Sequence, residues 1–262
     1  MKQKIAITSL ASISPLGNNP ESIWQNYLSP KTLISTKEFN GQNQFIASIP
    51  SELRKELEIL RSSETKYKAL DETVLLAILV SRQAIKNAGW KEEDEFGINI
   101  GSSRGATQLF EKYHKEFLET GKTATLASPT TTLGNISSWV SHDLQSDGPE
   151  ISHSITCSTG LHALLNGIAW SQSGMCNQFL VGASEAPLTP FTLSQMTALK
   201  VYSNEDIALA NRCLDFEKSS NTMVLGEAAS CLSLSLLSEK AIAKITGIGF
   251  ATEILSSSTS IS

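Results

Sequence analysis

The sequence predicts an α/β domain in which helices pack against a mixed β-sheet. Two observations point to this class. Apolar runs of strand length alternate with helical periodicities along the 262 residues, and "QFLVGA" is continuously apolar, as in strands covered on both faces. With 40% apolar residues, the chain is also long enough to bury one large core or two small ones.

The first third of the chain predicts two strands and three helices. "KIAITSL" predicts a mostly apolar strand, and "NNPESIWQNYL" predicts a helix with Asn19 as N-cap and Pro20 in its first turn. "QFIASI" predicts a weaker strand and "SELRKELEIL" a short charged helix. "ALDETVLLAILVSRQAIKNAG" is apolar around most of its circumference and ends at Gly89, which predicts a helix buried between layers.

The remaining elements continue the alternation. "FGINIGSS" predicts a strand, "QLFEKYHKEFLETG" an amphipathic helix that ends at Gly121, and a further helix is expected around Asn135 to Leu144. "EISHSIT" predicts a strand that runs directly into Cys157, and "AASCLSLSLL" and "AKITGIGFA" predict two strands near the end. The final "SSSTSIS" is compatible with a simple tail and with a chain that ends partway through a larger fold.

Composition excludes several classes of function. Charged residues make up 18% of the chain and the net charge is −5, so no basic surface is expected for nucleic acid. No stretch reaches membrane-spanning length, and serine and threonine interrupt the apolar N-terminus, which favours a strand over an exported segment. "GSSRG" lacks the further residues of a nucleotide-binding loop. We expect a cytoplasmic protein without a cofactor.

The cysteines predict free thiols and no metal site. They are scattered without CxxC or metal-ligand spacing, at Cys157, Cys176, Cys213 and Cys231. Two acidic residues, Glu185 and Glu227, each follow an apolar run. We expect both carboxylates to be buried structural groups that accept N–H hydrogen bonds, because nothing in the sequence supports an acid–base pair.

Cys157 is the candidate nucleophile. It lies in "HSITCSTGLHALLNGIAW", where an expected strand meets an expected helix. The apolar spacing of Leu161, Leu164, Leu165 and Ile168 predicts that the helix buries this stripe against a sheet, with Cys157 near its first turn. The N-terminus of a helix favours a thiolate, and its N–H groups can stabilise an oxyanion. A buried structural cysteine would fit the same position, so the surroundings must decide.

Five segments resemble the elongating β-ketoacyl-acyl carrier protein synthases of the thiolase-like superfamily. They are "IAITSLASISPLGNNPESIWQNYLS", "INIGSSRG", "SITCSTGLHALLNGIAW", "LVGASEAPLTPF" and "RCLDFEKSSNTMVLGEAASCLSL". Each alone is a weak signal, but all five occur in the family's order over nearly the whole chain. The resemblance implies that residues 1–262 form the N-terminal half of a thiolase-like fold, which has α-β-α-β-α layers in the whole enzyme. This half would contain a mixed five-stranded sheet.

The resemblance also implies a reaction and partners. Cys157 would take an acyl group from an acyl carrier protein, with its own backbone N–H contributing to an oxyanion hole. A malonyl-loaded carrier would then lose carbon dioxide and its carbanion would attack the Cys157 thioester, as in fatty-acid or polyketide synthesis. The family dimerises through the strand before the cysteine. A homodimer and a heterodimer with another ketosynthase subunit are both open.

The chain departs from the family in its histidines. Decarboxylation normally uses two histidines from motifs in the second half of the fold, and neither motif occurs here. We assign none of the four histidines (His114, His142, His153 and His162) to that pair. His162 is five residues beyond Cys157, a spacing that turns the two side chains apart on a helix.

Three further departures concern the acyl pocket and a nearby segment. Arg104 replaces a residue that is often apolar near the acyl channel, and Met196 stands at an aromatic position. A neutral packing change and a reshaped pocket are both compatible with these two residues. The family's R-D-G-F segment is replaced by Ser220, Asn221, Thr222 and Met223, for which a neutral change is favoured.

Three hypotheses follow. The first is a condensing enzyme that needs its missing C-terminal half. The second is a non-catalytic ketosynthase-like subunit of the chain-length-factor type, which pairs with an active synthase. The retained Cys157 argues against the second hypothesis and the absent histidines argue for it. The third is a degenerate fragment that folds poorly alone, because half of this fold would leave an apolar face uncovered.

Overall fold

The computed structural model describes residues 4–91, 93–210, 216–217, 222–236 and 240–252. The strands are β1 (Ile5–Ile13), β2 (Ser35–Phe39), β3 (Gln42–Ile46), β4 (Gly97–Gly101), β5 (Glu150–Ile151), β6 (Gln178–Glu185), β7 (Ala228–Leu236) and β8 (Ala243–Ile245). The α-helices are α1 (Pro20–Leu28), α2 (Ser51–Ser63), α3 (Glu72–Ala88), α4 (Thr107–Thr120), α5 (Ala127–Thr131), α6 (Asn135–Leu144), α7 (Thr159–Gln172) and α8 (Pro190–Ala198). The α/β class is thus confirmed.

The main sheet is mixed, with the strand order β5-β4-β6-β7-β1-β8. β4 pairs in parallel with β5 and β6, whereas β7 runs antiparallel to both β6 and β1. β8 adds a sixth strand to the expected five, because three residues pair with the outer edge of β1. β2 and β3 form a separate hairpin.

The strand before Cys157 is shorter than expected. Only Glu150 and Ile151 pair with β4. Immediately afterwards the hydroxyl of Ser152 bonds to Ser137, accepting its N–H at 2.9 Å, so side-chain bonding replaces the ladder. Cys157 therefore does not lie at the tip of a strand, and an irregular segment separates it from β5.

One face of the sheet is covered by α3 and α6. Local capping agrees with the sequence at both ends of α3: Asp71 accepts the Thr73 N–H at 2.9 Å, and Gly89 adopts the left-handed conformation with φ +70°. The first half of α3 is buried all round, as expected. Its last turns expose polar side chains, among them Arg82, Gln83 and Lys86. This part of the layer therefore presents a polar surface.

The opposite face is covered by α7, through only part of the expected stripe. Ile168 is buried and Leu164 packs against the same core, as expected, whereas Leu161 is 73% exposed and Ala163 and Gly167 are buried instead. A Cβ at position 167 would lie 2.5 Å from Val181 Cγ1, so the absence of a side chain there permits close contact between α7 and β6. Small residues thus decide which side of α7 is buried. In the part of the chain that the structure describes, no helix is long and apolar enough to cross a membrane.

Candidate active site

Cys157 lies in a single turn of 3₁₀-helix, Thr156–Ser158, that leads directly into α7. Its side chain is exposed, whereas Cys176 and Cys231 are buried; Cys213 lies outside the described residues. The sequence prediction that Cys157 precedes a helix is therefore confirmed. Its exposure and its place at the start of α7 are what a nucleophile requires.

The turn around Cys157 is held by hydroxyl groups. Thr159 is buried, and its Oγ1 accepts the Ile155 N–H at 2.9 Å while donating to the Thr156 carbonyl at 2.6 Å. The Ser158 hydroxyl donates to the Ile155 carbonyl at 3.1 Å. Thr156 has φ +44°, a left-handed conformation that is unfavourable for a β-branched residue. The surrounding hydrogen bonds hold this conformation, so Cys157 is presented from a constrained turn.

His153 braces the turn from inside the domain. Its Nδ1 lies 3.0 Å from the Asn99 side-chain oxygen and its Nε2 lies 3.2 Å from the Thr159 carbonyl oxygen. Burial lowers the pKa of His153, although the bond to Thr159 opposes this. A neutral imidazole donates from only one nitrogen, and the buried amide nitrogen of Asn99 has no partner. Both facts fit an Asn99 amide turned so that its nitrogen donates to Nδ1 of His153.

None of the other histidines lies in a catalytic arrangement with Cys157. His162 bonds through Nδ1 to the Ser158 carbonyl oxygen at 3.1 Å. His114 and His142 are exposed and contact aromatic neighbours on their own helices. Within the described ranges no histidine makes a hydrogen bond with Cys157, and no cluster of potential metal ligands is found.

The loop after β4, residues 102–105, lies against the segment that precedes Cys157. The Ser102 N–H donates to the His153 carbonyl at 3.2 Å, and the Ser154 hydroxyl donates to the Ser103 carbonyl at 3.1 Å. Glu185, at the end of β6, accepts the Ser103 N–H. Burial raises the pKa of Glu185 and the hydrogen bonds to the loop oppose that rise. The carboxylate therefore anchors the loop by accepting an N–H bond, which is the structural type of role that the sequence analysis predicts.

Glu227 has the corresponding structural role elsewhere. It is buried, accepts the Ile49 N–H at 3.0 Å and forms an ion pair with Arg54. Burial raises the pKa of Glu227, and the positive charge of Arg54 opposes the rise. The prediction of a buried group that accepts an N–H bond is confirmed for Glu227, whereas Glu185 accepts the N–H bond but is only half-buried.

An open cleft of about 410 Å³ adjoins the turn that carries Cys157. Thr156 forms part of its wall, together with Arg104 from the loop, Phe110 from α4, and Phe191 and Gln195 from α8. The Arg104 guanidinium donates to Gln195 Oε1 at 2.7 Å, and it lies 4.0 Å from the sulfur of Met196. Both of the altered pocket residues are thus near this cleft. Ser220 and Asn221 lie outside the described residues.

Sequence reasoning missed two residues that position this site. Asn99 had a detectable signal, because a polar residue interrupts the otherwise apolar "FGINIG" and a buried polar group needs a partner. Gln195 had none, because its role depends on Arg104, which is distant in the sequence.

Known proteins resemble this chain over most of its length. A family model described as "Beta-ketoacyl synthase, N-terminal domain" matches residues 2–240. The chain is 25% identical over 242 residues to 3-oxoacyl-[acyl-carrier-protein] synthase 2 of Staphylococcus aureus (strain COL), covering 90% of this chain and 58% of that protein. The protein of the same name from Coxiella burnetii is 26% identical over 237 residues, covering 88% of this chain and 57% of its own length.

Solved structures share the fold. A β-ketoacyl synthase from Burkholderia phymatum STM815 gives a TM-score of 0.75 at 17% identity, and the ishigamide ketosynthase/chain length factor gives 0.76 at 17% identity. Each match covers 90% of this chain and 59% of the compared chain. The chain thus spans a little over half the length of these relatives. The family model covers most of the chain and the thiolase-like fold agrees with it, so the chain belongs to the β-ketoacyl synthase family and corresponds to its N-terminal domain.

Proposed function

We propose that this chain is the nucleophile-bearing half of a β-ketoacyl-acyl carrier protein synthase and that Cys157 accepts the acyl group. The observation that carries the proposal is the exposed thiol of Cys157, held on a constrained turn at the start of α7 and beside an open cleft. The start of a helix offers backbone N–H groups that can stabilise an oxygen that becomes negative during acyl transfer.

For acyl transfer, this region would supply the nucleophile and one donor of the oxyanion hole. The Cys157 thiolate attacks the carbonyl carbon of a carrier-protein thioester, and a tetrahedral oxyanion forms. The backbone N–H of Cys157 would contribute to the oxyanion hole. When the intermediate collapses, the carbon–sulfur bond to the carrier breaks, the carrier thiolate leaves, and the acyl group remains on Cys157. The donor would be an acyl carrier protein, in the cytoplasm.

Condensation requires more than the described residues provide. The malonyl-carrier must lose carbon dioxide, and its carbanion must attack the Cys157 thioester and release the thiolate. Negative charge on the malonyl thioester carbonyl then needs stabilisation. His153 and His162 both bond backbone carbonyl groups instead. We propose that the stabilising side chains come from outside the described residues, either from a continuation of the chain or from a separate polypeptide.

The second candidate is a non-catalytic subunit that pairs with an active synthase. Its support is the absence of the family's decarboxylating histidines from the described part; the fold likeness to a ketosynthase/chain length factor is compatible with it and equally with an active synthase. Pairing would use the edge strand β5, because Ile151 in this strand and Ile155 in the segment after it are exposed. Both a homodimer and a heterodimer fit this edge.

The deciding experiment is intact-protein mass spectrometry after incubation with an acyl-loaded carrier protein. We expect one acyl adduct on the native chain and on Cys176→Ala, a matched control in which a buried thiol is removed. Cys157→Ala should carry none. A folded native chain without an adduct would overturn the acyl-accepting role and favour the non-catalytic subunit. A chain without a cooperative urea transition would instead support the degenerate fragment.

A further inference from the structure

An open cleft adjoins the turn that carries Cys157, and its position and size suit part of an acyl group. Cys157 follows Thr156, which forms one wall, and two hydrogen bonds tie the opposite loop to residues 153 and 154. The cleft's volume of about 410 Å³ lies within the range typical of small-molecule sites. Phe110 and Phe191 give the cleft apolar walls although both remain more than half exposed. An acyl chain on Cys157 could therefore enter it.

A guanidinium in this wall is unusual for a cleft that would hold a plain alkyl chain. Arg104 is half-buried; Gln195 accepts from one of its five N–H donors, and a second nitrogen of the guanidinium lies 4.0 Å from the weakly accepting sulfur of Met196. Among the described residues Arg104 forms no short ion pair with a carboxylate. An alkyl chain would remove water from the remaining donors without offering them an acceptor, which is unfavourable.

The guanidinium is held in place before any ligand arrives. Glu185 anchors the backbone of the same loop, and the Ser102 hydroxyl accepts the Gly105 N–H at 2.8 Å. Gln195 holds the far end of the Arg104 side chain from α8. A group fixed at both ends loses little conformational freedom on binding, so it can discriminate between ligands.

The charges around the cleft favour an uncharged oxygen over a carboxylate. Glu111 lines the same cleft, and Glu185 lies close enough to Arg104 for their charges to interact. A ligand carboxylate beside Arg104 would be repelled by the negative charges of Glu111 and Glu185. An uncharged carbonyl or hydroxyl oxygen would not experience this repulsion.

We propose that Arg104 and Gln195 make this cleft an acyl subsite that selects chains bearing a carbonyl or hydroxyl oxygen over plain alkyl chains of the same length. The inference rests on the proposed acyl-accepting function, because it assumes that the acyl group is delivered to Cys157. The proposed function does not specify the acyl chain, and this inference specifies its chemical class.

The test measures binding without covalent transfer. In a Cys157→Ala background, isothermal titration calorimetry would compare pantetheine amides of octanoic, 5-oxooctanoic, 7-oxooctanoic and octanedioic acids. We expect at least one oxo amide to bind about tenfold more tightly than the octanoyl amide, as expected for one added hydrogen bond to a charged donor. Arg104→Met should abolish this preference, and Gln195→Met should reduce it.

Lys112→Met is the matched control, because it removes one positive charge from α4 outside this cleft and should keep the preference. Urea midpoints would verify that each variant is folded. Equal affinities, or a preference that survives Arg104→Met, would overturn the inference. Tighter binding of the octanedioyl amide than of both oxo amides would overturn the choice of an uncharged oxygen. Because no acyl transfer occurs, these outcomes are distinct from a missing mass adduct, which would overturn the proposed function.

Discussion

Gly101, the last residue of β4, lies against two residues that hold the turn carrying Cys157. A Cβ placed at this position would lie 2.3 Å from Thr159 Cγ2 and 2.9 Å from the His153 carbonyl oxygen. The Thr159 hydroxyl accepts the Ile155 N–H and donates to the Thr156 carbonyl, and His153 forms a hydrogen bond with the Thr159 carbonyl at the start of α7. A single methyl group at position 101 would therefore act on both residues that hold the candidate nucleophile.

The expected cost follows from these distances. Ordinary Cβ contacts begin near 3.4 Å, so the Thr159 methyl would have to move by about 1 Å, while the His153 oxygen belongs to the backbone. Overpacking of this kind costs about 1–3 kcal/mol. The reduced freedom of alanine in the unfolded chain offsets about 0.5–1 kcal/mol of that. Gly101→Ala should therefore lower the free energy of unfolding by about 1–2 kcal/mol.

A double-mutant cycle isolates the contact. Thr159→Ser keeps the hydroxyl and removes the methyl group, which should cost about 1 kcal/mol. In the double variant the new methyl occupies the vacated space, so the loss should be smaller than the sum of the two single losses by about 0.5–1 kcal/mol. The measurement is urea unfolding, together with the rate of Cys157 alkylation by iodoacetamide.

Gly134→Ala is the control, because a Cβ at position 134 meets no atom within 4 Å and φ there is −61°. Its stability should be unchanged or slightly higher. Alkylation of Cys157 should change in Gly101→Ala and return towards the native rate in the double variant. Strictly additive losses with an unchanged alkylation rate would refute the argument that this contact holds the turn.

Three further predictions concern buried groups. Burial raises the pKa of Cys231 to about 12, so at pH 8 Ellman's reagent should label the exposed Cys157 in the native chain and Cys231 only after unfolding; peptide mapping that finds Cys231 labelled in the native chain would contradict this. Burial raises the pKa of Glu185 above its ordinary 4.5, so the folded state holds its proton longer than the unfolded state. The stability of the native chain relative to Glu185→Gln should therefore fall as pH rises above 4.5 in urea titrations; a rise would show that the sign is wrong. Asp143 accepts hydrogen bonds from Tyr67 and Arg82, so Asp143→Asn should cost about 1–3 kcal/mol in urea unfolding, and an unchanged midpoint would count against a shared network.

The sequence by itself determined the elements whose signals are local. Asn19 caps α1 by accepting the Ser22 N–H at 2.9 Å, and Gly89 and Gly121 end α3 and α4 in the left-handed conformation. The helix at Asn135–Leu144 has the predicted bounds. These features depend on residues within one or two turns of each other, so their physics is contained in a short stretch of chain. The order of five family segments likewise identified the fold and the position of Cys157.

Only the tertiary structure decided which surfaces and partners these elements acquire. The apolar periodicity of α7 correctly predicted that Ile168 is buried but not that Leu161 is exposed, because Gly167 lets the helix approach β6 closely on a neighbouring side. β5 ends at Ile151, and the next residue, Ser152, forms a hydrogen bond with Ser137 of α6, which is a separate element of secondary structure from β5. The bracing of Cys157 and the Arg104–Gln195 pair likewise join residues that are far apart in the sequence. Such contacts form only when the layers close, because a hydrogen bond or a close approach depends on distances that no local pattern encodes.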